Sequence, residues 1–173
     1  MPIIELARHH EVALAGMLAD FEAAGETDIP AYFLPFDCPY DTALNRILAW
    51  ARGEQLEPGW VPCTTFFFES DGALLGLYNF RHTLTPQLEQ HGGHVGYSVR
   101  PSARGQGVAT ALLEHALGFG HGLGLTSLRL TCAATNVASQ RVIEKAGGRL
   151  RDTYRLTPDA PLQHRFDVPT SGI

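Results

Sequence analysis

The chain is poor in lysine: of its 13 basic residues only Lys145 is one, and the rest are arginines. A phosphate-binding loop of the Gly-Lys-Ser/Thr kind needs a lysine beside a glycine-rich turn, and Lys145 stands in none, so that nucleotide site is excluded. Cysteine is scarce too. Cys38, Cys63 and Cys132 are odd in number and far apart, which excludes a disulfide framework and a CxxC pair, and each reads as a small buried residue. A surplus of positive charge is also lacking. The net charge of −5 and pI near 5.9 leave no basic footprint, so neither duplex nucleic acid nor an anionic membrane is an expected partner. No apolar run approaches the ~18 residues of a transmembrane helix. The opening Met1–Arg8 segment mixes acidic and basic residues where a signal peptide would be apolar, so a cytoplasmic location is expected.

Glycine, by contrast, is concentrated. Nine of the 18 glycines lie between Gly92 and Gly124. Ahead of them, Glu11 to Ala24 has helical spacing of Val12, Leu14, Met17, Leu18 and Phe21, with Gly25 as a stop. A loop with Pro30, Tyr32, Phe33, Pro35, Phe36, Pro39 and Tyr40 follows, and Asp41 is the candidate cap of a second helix reaching about Glu54. Val61 to Glu69, Asp71-Gly72 and Ala73 to Phe80 read as a β-hairpin. His94 to Val99 and Ser127 to Thr131 read as strands, Gly107 to His121 and Asn136 to Ala146 as helices, and Leu150 to Leu156 and Arg165 to Val168 as closing strands. The order predicts a mixed α/β sheet carrying helices, in one domain spanning 1–173. Within it, 1–60 forms a covering element, 61–156 the core, and 157–173 a last strand and tail.

The segment Val99-Arg-Pro-Ser-Ala-Arg104-Gly-Gln-Gly107-Val-Ala109 carries the most chemistry. A strand ends, a short turn follows and a helix opens, so successive backbone N–H groups without bulky side chains form a cradle for phosphate oxygens. Arg104 adds a guanidinium for the same charge. A dinucleotide fingerprint fails here: Thr110 takes the third glycine's place, and no acidic residue follows about twenty positions on.

This segment resembles the Q/R-x-x-G-x-G/A signature of the GNAT superfamily of acyl-CoA-dependent N-acyltransferases. His94 to Pro101 looks like that family's fourth strand and Leu128 to Cys132 like its fifth. Asn136-Val-Ala-Ser139 to Glu144-Lys-Ala-Gly147 looks like the following helix. The run Gly92 to Ser102 is similar to a bacterial subgroup of acetyltransferases with unassigned substrates. The resemblance implies a sheet split between the fourth and fifth strands, with helices on both faces and acetyl-CoA in the split. The pantetheine would pair with backbone near Tyr97 to Val99, the pyrophosphate would sit on Arg104, Gly105, Gln106, Gly107, Val108 and Ala109, and Asn136 would contact the arm. A homodimer is compatible with the family. No metal is implied. The acceptor would be a small-molecule amine or a peptide N-terminus.

Attack by an amine needs a base and a group to receive the leaving thiolate. Many family members place an acid tyrosine seven residues after the helix-opening asparagine, where this chain has Ile143. Tyr97, Ser139 or a water is the candidate in its stead. His94 is the candidate base, with His91 and His82 nearby in sequence, and strand alternation puts His94 on the face opposite Tyr97. Arg81 and His82 are candidate substrate contacts. His91-Gly-Gly-His94 lacks a third ligand at metal-site spacing, and Cys132 has no neighbour to lower its pKa. Ile143 also motivates an alternative, an acyl-CoA-binding module without catalysis; a metal-dependent hydrolase built on the histidines is a weaker one.

Overall fold

A computed structural model of the chain describes residues 2–26 and 38–171. The proline- and aromatic-rich loop residues Pro30 to Phe36 lie outside them, as does Asp37. Among the described residues there are seven strands: β1 (Ile3–Ile4), β2 (Cys63–Ser70), β3 (Ala73–Arg81), β4 (Val95–Val99), β5 (Ser127–Ala133), β6 (Arg149–Tyr154) and β7 (Gln163–Pro169). The helices are α1 (Glu11–Ala23), α2 (Tyr40–Ala51), α3 (Pro86–Gln90), α4 (Val108–Gly122) and α5 (Val137–Lys145).

The hairpin forms where Asp71-Gly72 places it. Both turn residues have positive φ, 51° and 75°, which matches the right-handed twist of the flanking strands. β1 adds to one side of the hairpin and β4 to the other, giving the order β1-β2-β3-β4, while β5-β7-β6 form a second sheet. Every pairing inside both sheets is antiparallel. The expected α/β class and the split sheet are therefore both observed.

Alternation along β2 explains how the first sheet is covered on both faces. Phe66 and Phe68 join a core with Leu112, Leu113, Ala116 and Leu117 of α4, whereas Phe67 joins Leu14, Met17 and Phe21 of α1 and Ile47 and Trp50 of α2. A run of three phenylalanines thus serves two cores, because successive side chains point to opposite faces. Each such ring contributes roughly 1.5–3 kcal/mol by burial.

Several local expectations are corrected. Val12 is 82% exposed, because α1 begins at Glu11 behind a 3₁₀ turn and turns Leu14, Met17 and Phe21 inward instead. Asp41 does not cap α2. Pro39 occupies the cap and Asp41 lies in the first turn, where a carboxylate still favours the positive end of the helix dipole. The two-residue β1 and the five-residue α3 are additions to the elements read from sequence.

Among the described residues the two sheets meet along a short junction. Gly93 bridges to Leu130, and the His94 N–H donates to the Arg129 carbonyl at 2.7 Å. A Cβ at Gly93, whose φ is +63°, would stand 2.2 Å from the Arg129 oxygen, so only glycine permits the approach. Past this junction, among the described residues, β4 pairs with β3 alone, and a cleft opens between its other edge and β5.

Candidate active site

The cleft has a volume of about 760 Å³. Its walls are Val95 to Val99 of β4, Leu130 to Cys132 of β5, and Asn136, Ser139 and Ile143 around α5; its mouth is the turn from Arg104 into α4. Gly105 and Gly107 both have positive φ, 74° and 83°, and a Cβ at either would meet nothing within 4 Å. Glycine is required there by backbone conformation, and the space in front of the helix N-terminus is open. Free N–H groups at the start of a 15-residue helix, facing an open cleft, suit an anion.

Most of the residues expected to hold the cofactor converge here. Tyr97, Val99, Arg104, Gly105, Gly107, Val108, Ala109 and Asn136 all line the cleft. Gln106 does not; its side-chain amide donates to the Ser102 carbonyl at 3.2 Å, leaving only its backbone for a ligand. Asn136 has a structural duty as well, since its Oδ1 accepts from the Ser139 N–H at 3.0 Å and caps α5.

Arg104 is held by a partner no motif announced. Its two terminal nitrogens donate to the two carboxylate oxygens of Glu26, at 2.7 and 2.6 Å. Arg104 hydrogen bonds keep the Glu26 carboxyl below the usual carboxylate range. The same end of α1 is tied again next door, where Asp20 accepts from Arg100 at 2.5 Å and from Ser102 at 2.8 Å. The two acids are about eighty residues from their partners, so no local signal marks them.

Inside the cleft, the Tyr97 hydroxyl lies 2.8 Å from the Ser139 hydroxyl and so bridges β4 to α5. Burial pushes the Tyr97 phenol up to about 12, so it stays protonated at neutral pH. Ile143, in the tyrosine's expected place, is fully buried. The Cys132 thiol is raised by burial, the wrong direction for a nucleophile.

The remaining candidates lie elsewhere. His94 is not part of the cleft wall. Its Nδ1 accepts from the Arg129 N–H at 2.9 Å, and burial, then Arg129 and Arg81, push its pKa down to about 4. That geometry makes it a tie between the sheets and a poor base. His82 Nε2 lies 2.8 Å from the Thr64 hydroxyl. Arg81 is half-buried, donates to the Gly92 and Gly93 carbonyls, and borders a second cavity of about 370 Å³ with Trp60, Cys63 and Thr85. Among the described residues no group of three His, Cys, Asp or Glu side chains is placed to hold a metal ion, and no helix is long and apolar enough to cross a membrane.

A family profile for the acetyltransferase (GNAT) domain matches residues 7–149. The chain belongs to the GNAT acetyltransferase family. Solved structures agree on its fold. This GNAT chain superposes on a Salmonella typhimurium acetyltransferase, YncA, carrying its cofactor acetyl-CoA, with a TM-score of 0.63 and 16% identity over 99% of this chain and 95% of the other. A ribosomal-protein-alanine N-acetyltransferase from Brucella melitensis gives 0.68 and 16% over 98% and 99%. Spermidine N-acetyltransferase SpeG of Vibrio cholerae gives 0.61 and 16% over 99% and 96%. At such identities the likeness carries the fold. Among curated proteins no match is found.

Proposed function

We propose that this acetyltransferase moves the acetyl group of acetyl-CoA to a primary amine, on a small molecule or a peptide N-terminus, by direct attack in a ternary complex. The observation that carries the reading is the cleft itself, with an open glycine turn at its mouth, an unpaired strand edge along its length and a protonated phenol inside it. The pyrophosphate binds the N–H groups from Arg104 to Ala109, assisted by the Arg104 guanidinium. The pantetheine amides pair with the free edge of β4 as an added strand would. A backbone N–H of β4 polarises the thioester carbonyl.

Tyr97 and Ser139 then face the departing sulfur. A phenol raised to about 12 is too weak an acid to hand its proton fully to a thiolate, but it donates a hydrogen bond to one, and Ser139 supports it. The hydroxyl missing at Ile143 is thereby supplied from the opposite wall of the cleft. Segment 1–60 shapes the acceptor side. Two relatives named for spermidine and for ribosomal-protein alanine support an amine as acceptor class.

A thermal-shift screen with acetyl-CoA, followed by an acceptor panel read as free thiol, tests the reading. Stabilisation by acetyl-CoA and amine-dependent thiol release are expected. Binding without turnover on any amine would favour the non-catalytic module. A chelator-sensitive activity without CoA would sink the reading altogether.

A further inference from the structure

Aminolysis needs a group that takes a proton from the acceptor's ammonium, and His94 is committed to Arg129. We infer that His91, held in place by Tyr154, is that proton acceptor; the inference rests on the transfer reading above. Thr131 leads to it. This residue lines the cleft beside Val95 and Leu130, toward the junction and away from the glycine turn, where a thioester extended along β4 would end. The Thr131 hydroxyl accepts from the N–H of Gly92, the residue after His91, at 3.1 Å, and β6 brings the Tyr154 phenol to His91 itself. That phenol lies 2.7 Å from His91 Nδ1. Thr131 of the cleft wall is therefore tied to the backbone beside an imidazole that Tyr154 holds.

The surroundings suit the role. His91 and Tyr154 are each half-buried, so the pair is fixed yet open to a solute. Arg165 of β7 lies over the Tyr154 ring, 4.6 Å from its centre, and holds the ring in position. When His91 Nδ1 donates to the phenol oxygen, Nε2 keeps its lone pair for a proton. Burial and then Arg81 of β3 shift the His91 pKa below its ordinary 6.5, which keeps the imidazole neutral at neutral pH. The charged and titratable groups acting on Tyr154 are Arg165, Asp152 of β6 and Cys132 of β5.

The protons balance in this scheme. An ammonium N–H passes to His91 Nε2, and the neutral amine attacks the thioester carbonyl carbon. The C–S bond breaks, the sulfur leaves with its electron pair, and the adduct nitrogen loses a second proton, which the thiolate takes up through solvent. His91 returns its proton to water. The products are amide, free thiol and one proton. His91 is the catalytic residue and Tyr154 a positioning residue that selects its tautomer.

The test measures kcat/KM against pH with acetyl-CoA and three primary amines of different bulk: n-butylamine, spermidine and an alanine-first peptide. For the wild type an acidic limb below pH 6.5 is expected. His91→Ala should lower kcat/KM at neutral pH by about 100-fold or more, lose that limb, and recover rate on addition of imidazole, with the acetyl-CoA thermal shift unchanged. Tyr154→Phe keeps the ring beneath Arg165 and should move the acidic limb with a smaller loss of rate. A His91→Ala protein with the wild-type profile, or one that imidazole does not rescue while Tyr154→Phe leaves the limb in place, overturns the inference and leaves the transfer reading standing. A wild type that does not bind acetyl-CoA, or acetylates none of the three amines, overturns both.

Discussion

Arg104 has two claims on its guanidinium. Glu26 takes both terminal nitrogens in the structure, and a pyrophosphate at the glycine turn would want the same ones. Because the pair is about half exposed, it is a weak tie that a doubly charged ligand can displace. Glu26→Gln is therefore expected to tighten acetyl-CoA binding several-fold and Arg104→Ala to weaken it about tenfold, by isothermal titration calorimetry. An affinity indifferent to Glu26→Gln would mean that the two anions do not compete. Tyr97 makes a separate claim, on rate and not on binding. Tyr97→Phe should lower kcat by about 10- to 100-fold, the worth of one hydrogen bond to a charged group, while the acetyl-CoA dissociation constant stays near that of the wild type. At this scale Arg104 and Tyr97 were legible from their places in a motif. Glu26, Asp20 and Tyr154 were not, since contacts between residues far apart in the chain leave no mark on local spacing.

Among the elements, α5 joins a structural duty to a binding one. Its opening Asn136 both caps the helix and lines the cleft. Asn136→Ala should cost about 1 kcal/mol of stability in urea unfolding, and Asn136→Ser should restore most of it because serine also caps. If acetyl-CoA affinity drops equally in both variants, the amide touches the ligand; if it drops only with alanine, the asparagine acts through the helix. Element boundaries followed the chemistry of the ends. The Asp-Gly turn, the glycine before α4 and the asparagine before α5 each marked an edge. α3 had its own signal, a capping Thr85 that accepts from the Leu88 N–H, with Pro86 following. Five residues are too short a helix for apolar periodicity to confirm it. β1 is shorter still, and it exists because Ile3 and Ile4 pair with Phe68 and Phe67.

At the scale of the whole molecule, the two sheets share one buried core and touch along a short seam. His94 is one of its few ties, and protonating Nδ1 would break the bond to Arg129. The unfolded chain takes up that proton near the ordinary 6.5, the folded protein only at about 4. Between these values the unfolded state binds more protons, so stability is full above the window and falls as the pH drops through it. His94→Asn, which keeps an acceptor for the Arg129 N–H without a titrating ring, should flatten the fall in melting temperature between about pH 7 and 5. A slope equal to the wild type's would remove His94 from that account. Acetyl-CoA lying between the sheets should raise the melting temperature with ligand concentration, as any ligand of the folded state does.

The hairpin, the glycine turn, the helix that opens behind it and the membership of an acyltransferase family could all be read from the chain before it folds. All of these rest on short-range chemistry: positive φ, capping, alternation and a compact motif. The duties of the histidines came instead from the folded arrangement. His94 and His91 stand three residues apart and look alike in the sequence, yet one is spent on a backbone N–H of β5 and the other meets a phenol from β6. Burial and partners set what a side chain can do with a proton, and both come from strands that arrive later in the chain.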